Sequence, residues 1–324
     1  VRGRTAAGAA PAAVKPAWSR AAGIKLPDGA PLDDTIAAVV GACRDHWLNN
    51  AAAAIAGHDP EGVHQVRVAL RRLRSALGLF KHHLPPAQRA ALAQEAKWLL
   101  TQLGPVRDLD VFIHVLAADF APRVADDAGF AQLIRAARIQ RDAAQAVAVS
   151  ALRGTRARRF GARLDVWMQG RGWHMASAEA AADDAESFAR HAINRRLRKI
   201  KTAAAGIARL PVDERHELRI AVKKARYGIE FFHTLLPAKR AARWTTALKH
   251  VQDSLGHLND LDVAERTIAK LVGEHLLGEH LVGDTGRKIA AAGRSVRRLH
   301  KKAAANAEPE IRKQCRRVAR IALF

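Results

Sequence analysis

The chain is written twice. His64-Gln-Val-Arg67-Val-Ala-Leu-Arg71-Arg72-Leu-Arg74 returns as His216-Glu-Leu-Arg219-Ile-Ala-Val-Lys223-Lys224-Ala-Arg226, 152 residues later. Phe80 and Phe232 keep the same spacing, as do Leu84-Pro85 and Leu236-Pro237. A second motif follows at that offset, with Leu103-Gly104-Pro-Val-Arg-Asp108-Leu-Asp110-Val111 against Leu255-Gly256-His-Leu-Asn-Asp260-Leu-Asp262-Val263. Two motifs on one ungapped offset mark a duplication, so the structure adopted by one half constrains that of the other. A chain of 324 residues has room for two units of ordinary domain size.

Each half reads as helix. Alanine and arginine, both strong helix formers, dominate, and the alternation that marks a half-buried strand is scarce. Pro60, Pro85, Pro86 and Pro105 punctuate the first half, Pro211 and Pro237 the second. The pattern predicts helices over about 32–57, 61–83, 87–104 and 108–168, with a candidate break in the last near 127–129. The second half is expected to repeat this over about 177–208, 213–235, 238–256 and 260–303, followed by a tail helix over about 308–322. The fold class is therefore all-α, as two pseudo-symmetric antiparallel four-helix bundles. In domain terms, an Ala-, Gly- and Pro-rich linker-like segment covers 1–31 and the first half 32–168. A turn-rich connector covers 169–176, the second half 177–303 and the tail 304–324.

Charge narrows the function. Lys plus Arg number 54 against 31 Asp plus Glu, a net +23 with histidines neutral. An excess of that size repels itself in the folded state and points to a polyanionic partner. No apolar run approaches the roughly 20 residues that span a bilayer. The stretch 40–56 is interrupted by Arg44, Asp45, His46, Asn49 and Asn50, and no membrane partner is expected. Cys43 and Cys315 are too few for a disulfide framework or a cysteine zinc site and read as incidental thiols in a reducing compartment. With no secretory signal pattern, the expected location is cytoplasmic. The first methionine is Met168, so the chain reads as a piece of a longer protein.

The repeated segment carries that charge in an ordered way. At about 100° per residue, His64, Arg67, Arg71 and Arg74 fall within roughly 80° of one another, opposite Val66, Leu70, Leu73, Leu77 and Phe80. His216, Arg219, Lys223 and Arg226 take the same angles in the copy, opposite Leu218, Val222, Ala225, Ile229 and Phe232. Surface helices usually mix signs, because like charges a turn apart cost a few tenths of a kcal/mol. Here no acid occurs between 64 and 78. From His64 to Arg74 the stripe spans about 15 Å, long enough for several closely spaced phosphates, and arginine's planar fork suits their oxygens. These two sets of four are the candidate polyanion contacts. Arg72, Lys224, Arg138, Arg195, Arg198, Arg294 and Arg298 are possible additional ones.

Metal and cofactor chemistry are not expected. His64 has Arg67 and Val68 where a second ligand would stand on a helix, and the cations around it repel a metal ion. Asp108 with Asp110, repeated as Asp260 with Asp262, are the paired carboxylates with a claim on Mg²⁺ chemistry. They read instead as structural, the first of each pair capping a helix and the second pairing with a stripe arginine.

At these residues the chain resembles the CHAD domain (conserved histidine α-helical domain) family. Val63-His64 through Arg74 looks like the family's hallmark segment, His216 through Tyr227 like its second copy, and the Leu-Gly…Asp-Leu-Asp pairs match as well. The resemblance covers about 31–303. It implies two pseudo-symmetric four-helix bundles with a basic groove between them that binds inorganic polyphosphate, no catalysis in this region, and association with polyphosphate granules. It also implies contact roles for His64, Arg67, Arg71 and Arg74, and for His216, Arg219, Lys223 and Arg226. Many members carry a triphosphate-tunnel (CYTH) domain ahead of this one. Lys223-Lys224 stands where the first copy has Arg71-Arg72, so the second half lacks the bidentate fork there. Two other readings compete. Non-specific RNA or DNA binding fits the charge. It finds few aromatic residues to stack on bases, since Phe80, Phe232, Trp47 and Trp98 lie in apolar patterns. A metal-dependent polyphosphate hydrolase would rest on the Asp pairs alone.

Overall fold

A computed structural model describes residues 16–115, 128–173, 184–207, 210–277 and 284–324. Among the described residues every regular element is an α-helix. The first half comprises α1 (Leu32–Ala56), α2 (Pro60–Leu79), α3 (Pro86–Gln102), α4 (Gly104–Val115), α5 (Ala128–Arg153) and α6 (Thr155–Gln169). The second comprises α7 (Ala185–Ala205), α8 (Val212–Phe231), α9 (Ala238–Leu277) and α10 (Asp284–Ala319).

The turn between α1 and α2 is specified locally. Gly57 ends α1 at φ 67°, where a side chain would be strained, and its N–H donates to the Ala53 carbonyl at 3.1 Å. Asp59 then accepts from the Glu61 N–H at 2.8 Å and Pro60 opens α2, satisfying two requirements of a helix start. Gly62 lets the two helices touch, because a Cβ there would lie 2.7 Å from the Ala53 backbone. Packed along this seam, Val39, Val40, Cys43 and Trp47 of α1 and Val63, Val66, Leu70 and Leu73 of α2 are buried.

The expected 108–168 helix is divided at Gly154, where α5 ends and α6 begins. The candidate break near 127–129 adjoins residues 116–127, which lie outside the described ones. The second half does the reverse. The separate helices expected over 238–256 and 260–303 give way to the unbroken α9, and the expected tail helix is the end of α10. The chemistry of one repeat position accounts for the contrast between α3 and α9. Pro105 lacks an N–H and crowds the preceding turn, so α3 stops at Gln102; at the equivalent position His257 keeps its N–H and α9 runs on. The predicted helix start at 177 falls among residues 174–183, outside the described ones, and the described part of α7 opens at the Asp184 cap.

The linker-like reading of 1–31 changes for its second part. Residues 16–31 form a strap across both halves: Trp18 Nε1 donates to Asp59 at 2.7 Å, and the Leu26 N–H donates to Thr234 Oγ1 at 3.1 Å. Ile24, Leu26 and Ala30 of the strap are buried. Their burial is a tertiary effect, invisible to a composition that favours turns.

One hydrophobic core runs through both halves. At its centre Phe80 meets its own repeat equivalent Phe232 edge to face, with centroids 6.1 Å apart, and Phe188 of α7 packs on both at 5.4 and 6.0 Å. A smaller cluster joins Phe112 of α4, Leu133 of α5 and Ile268 of α9. The C-terminal ends of α2 and α8 are thus clamped together.

Candidate functional site

Where α2 and α8 meet α4 and α9, the packing leaves a cavity of about 380 Å³. Its basic wall is Arg67 and Arg71 from α2, Arg219 and Lys223 from α8, and Arg107 from α4, with His64 of α2 beside them. Asp108 faces in from α4, and Asp253 and Asp260 from α9. The lining follows the duplication, since Arg67 and Arg219, Arg71 and Lys223, Asp108 and Asp260, and Val111 and Val263 are equivalent pairs.

The cations are crowded and only partly wet. Arg67 is 8% exposed and donates through Nη1 to the Leu100 carbonyl at 2.7 Å, while its Nε has no partner. Burial, then the field of Arg71, pushes its guanidinium down to about 10. Lys223 is pushed down to about 7, first by burial and then by Arg219 and Arg71. His64 falls to about 4 through burial, with Arg107 the next contributor, so it is neutral at neutral pH. Arg219 is lowered too, mainly by burial. Four arginines and Lys223 face three carboxylates, so the lining keeps a positive excess. An anion entering the cavity relieves that repulsion and meets fixed donors in a partly desolvated setting.

The structure sorts the sequence candidates. His64, Arg67, Arg71, Arg219 and Lys223 come together in the cavity. Arg74 is exposed outside its lining, and its field reaches Lys224, which is also exposed. His216 stands exposed on the first part of α8, unlike half-buried His64. Arg226 is turned aside, donating to Gln252 Oε1 at 2.9 Å and lying 3.5 Å from Glu230. Arg72, at 4% exposure, is committed to Glu230 at 2.6 Å and lies over the Phe231 ring. Arg138, Arg195, Arg198, Arg294 and Arg298 are exposed on α5, α7 and α10, apart from the cavity.

Sequence reasoning missed Arg107, although it sits inside the second motif, next to Asp108. Its repeat partner Asn259 carries no charge, so the duplication that singles out the stripes passes it over. The capping role expected of Asp108 and Asp260 also fails, because both lie within helices, α4 and α9, and face the cavity. Asp110 does pair with an arginine, but with Arg141 of α5 at 3.0 Å rather than with the His64 stripe. Among the described residues no group of three or more His, Cys, Asp or Glu side chains is placed to hold a metal ion. Nor, among them, is any helix long and apolar enough to cross a membrane.

Comparison with known proteins covers both copies of the repeat. The CHAD domain family model matches residues 38–269, which include both stripes and both Leu-Gly…Asp-Leu-Asp motifs. The crystal structure of the CHAD domain from the plant Ricinus communis is similar at 31% identity, covering 93% of this chain and 96% of that one, with a TM-score of 0.78. PptA from Streptomyces chartreusis is similar in fold, at 16% identity and a TM-score of 0.63, covering 89% and 100% of the two chains. No curated protein matches the sequence at a significant level. A family match over the duplicated motifs and a structural match over nearly the whole chain lead to one conclusion: the chain belongs to the CHAD domain family.

Proposed function

We propose that this protein binds inorganic polyphosphate in the basic cavity between α2 and α8, and that the halves are pseudo-symmetric helical bundles holding that groove between them. The observation that carries the reading is the meeting of His64, Arg67 and Arg71 of one copy with Arg219 and Lys223 of the other, and with Arg107, in one cavity whose cations are destabilised first by burial and then by one another. A flexible chain of phosphates supplies repeated negative charge at short spacing, which relieves such a cluster better than a single anion. Family membership supports the same ligand, since CHAD domains are associated with polyphosphate and are generally binding rather than catalytic modules. Binding of this kind would carry the protein to polyphosphate granules. Among the described residues no Trp, Tyr or Phe lines the cavity, which leaves nucleic-acid bases no such stacking surface there.

The test is competition at near-physiological salt, with labelled long-chain polyphosphate challenged by unlabelled polyphosphate, RNA or duplex DNA. A parallel sample carries Arg71, Arg219 and Lys223 changed to Ala, with helicity checked by circular dichroism. Displacement by polyphosphate alone, and loss of binding in the folded variant, support the reading. Equal displacement by nucleic acid, or unchanged binding by the variant, overturns it.

A further inference from the structure

Beside the basic cavity lies a second one of about 840 Å³, and the two share His64 and Gln252 as a common wall. Resting on the anion-binding reading above, we propose that this chamber receives the nucleoside of a nucleoside 5′-polyphosphate whose phosphates occupy the basic cavity.

The contrast in charge balance between the two cavities supports this division. In the chamber the covered arginines are already answered: Arg72 pairs with Glu230 at 2.6 Å, and Arg226 donates to Gln252 at 2.9 Å while also neighbouring Glu230. His46, which also lines it, is held below the ordinary histidine value, chiefly by burial. Gln65 donates its amide to Glu61 at 2.6 Å and so turns its oxygen to His46 Nε2 at 3.0 Å. A phosphate chain therefore gains little from the two covered arginines of the chamber, whose remaining arginine, Arg20, lies exposed on the strap.

The rest of the wall suits a flat, weakly polar group. Ala21 and Ala22 of the strap, Val68 of α2 and Ala241 of α9 supply apolar surface. Tyr227 offers a ring, and Thr245 and Thr246 offer hydroxyls that can donate or accept. The volume lies within the roughly 300–1,000 Å³ typical of small-ligand sites, and apolar walls with a few placed polar groups are their usual composition. The shared His64–Gln252 wall puts the chamber next to the phosphates, where a 5′-linked nucleoside would have to be.

Tripolyphosphate and adenosine 5′-triphosphate, each titrated without divalent cations, separate the two cavities. Both carry three phosphates, but tripolyphosphate has the greater negative charge, so a purely ionic site ranks it first. The expected result is the reverse order, with the nucleotide tighter by about fivefold or more. Ala242 and Thr246 are exposed residues on the chamber wall. Ala242→Trp and, independently, Thr246→Trp should abolish the nucleotide's advantage while leaving tripolyphosphate within about twofold. Tripolyphosphate binding as tightly as the nucleotide or tighter, or a nucleotide preference that survives both tryptophans in folded protein, overturns the nucleoside chamber and leaves the polyanion site standing. If neither ligand displaces long-chain polyphosphate, the basic-cavity reading falls with it.

Discussion

Helices α2 and α8 began as one sequence and now do different work. In α2 Arg67 of the stripe and its neighbour Arg72 are buried and His64 is half covered. In α8 the equivalent of Arg72 is Lys224, which is exposed, and the equivalent of His64 is His216, exposed as well. The difference arises from neighbours, not spacing. Arg72 points at Glu230 of α8, and α2 has no such acid to offer Lys224 in return, because Gly78 stands at the position equivalent to Glu230. Duplication thus preserved where charge is placed along a helix and let the environment of each charge diverge. The first copy builds the clamp between halves, and the second leaves its cations more open.

The largest effect should come from breaking that clamp. Arg72→Ala removes one partner of a mostly buried pair and opens space against Phe231, so it should cost about 3 kcal/mol in urea unfolding. Lys224→Ala, at the equivalent position, should stay within about 0.5 kcal/mol. Equal costs would erase the distinction between the two copies. Next come the contacts themselves. Arg71→Ala and Lys223→Ala should each weaken polyphosphate binding about tenfold or more in equilibrium titrations, because each removes a charge-assisted partner in a partly desolvated cavity.

A smaller effect sharpens the comparison through pH. The unliganded folded protein holds Lys223 at about 7, well below the ordinary lysine value of 10.5. Below pH 7 the ammonium is charged before and after binding. Above pH 7 a bound polyanion must restore its proton, so affinity should fall as pH rises and calorimetry should detect proton uptake. Without ligand the sign is opposite: the unfolded chain keeps the proton up to 10.5 and the folded one does not, so stability should rise between pH 7 and 10.5. Lys223→Arg, charged throughout, should flatten the pH dependence of affinity, and a slope that persists would place the titrating group elsewhere. The smallest effect is expected at His216. Its replacement by Ala should change affinity by less than about twofold, since it lies exposed outside the cavity lining. A loss as large as that for Lys223 would show that the second stripe is used along its whole length.

Much of this is legible in the sequence. The duplication, the helical class and the separation of Phe80 and Phe232 from the cationic face all follow from periodicity, which is a local property of the chain. Periodicity also put five of the eight principal stripe residues on the faces that packing then brings into the cavity. Helix ends were less accessible, because the motif that stops at Pro105 continues through His257.

Periodicity alone settles which residues share a helix face. Packing settles which of those faces stays accessible and what it meets. Arg72 and Glu230 are 158 residues apart, and no helical wheel relates them. Arg107 joins the cavity from α4 and Asp253 from α9, and the strap at 16–31 closes part of the neighbouring chamber. The divide exists because a cavity is the space left between packed helices. Its walls are set by how α2 and α8 are clamped at Phe80 and Phe232, and that contact forms only once both halves have folded together.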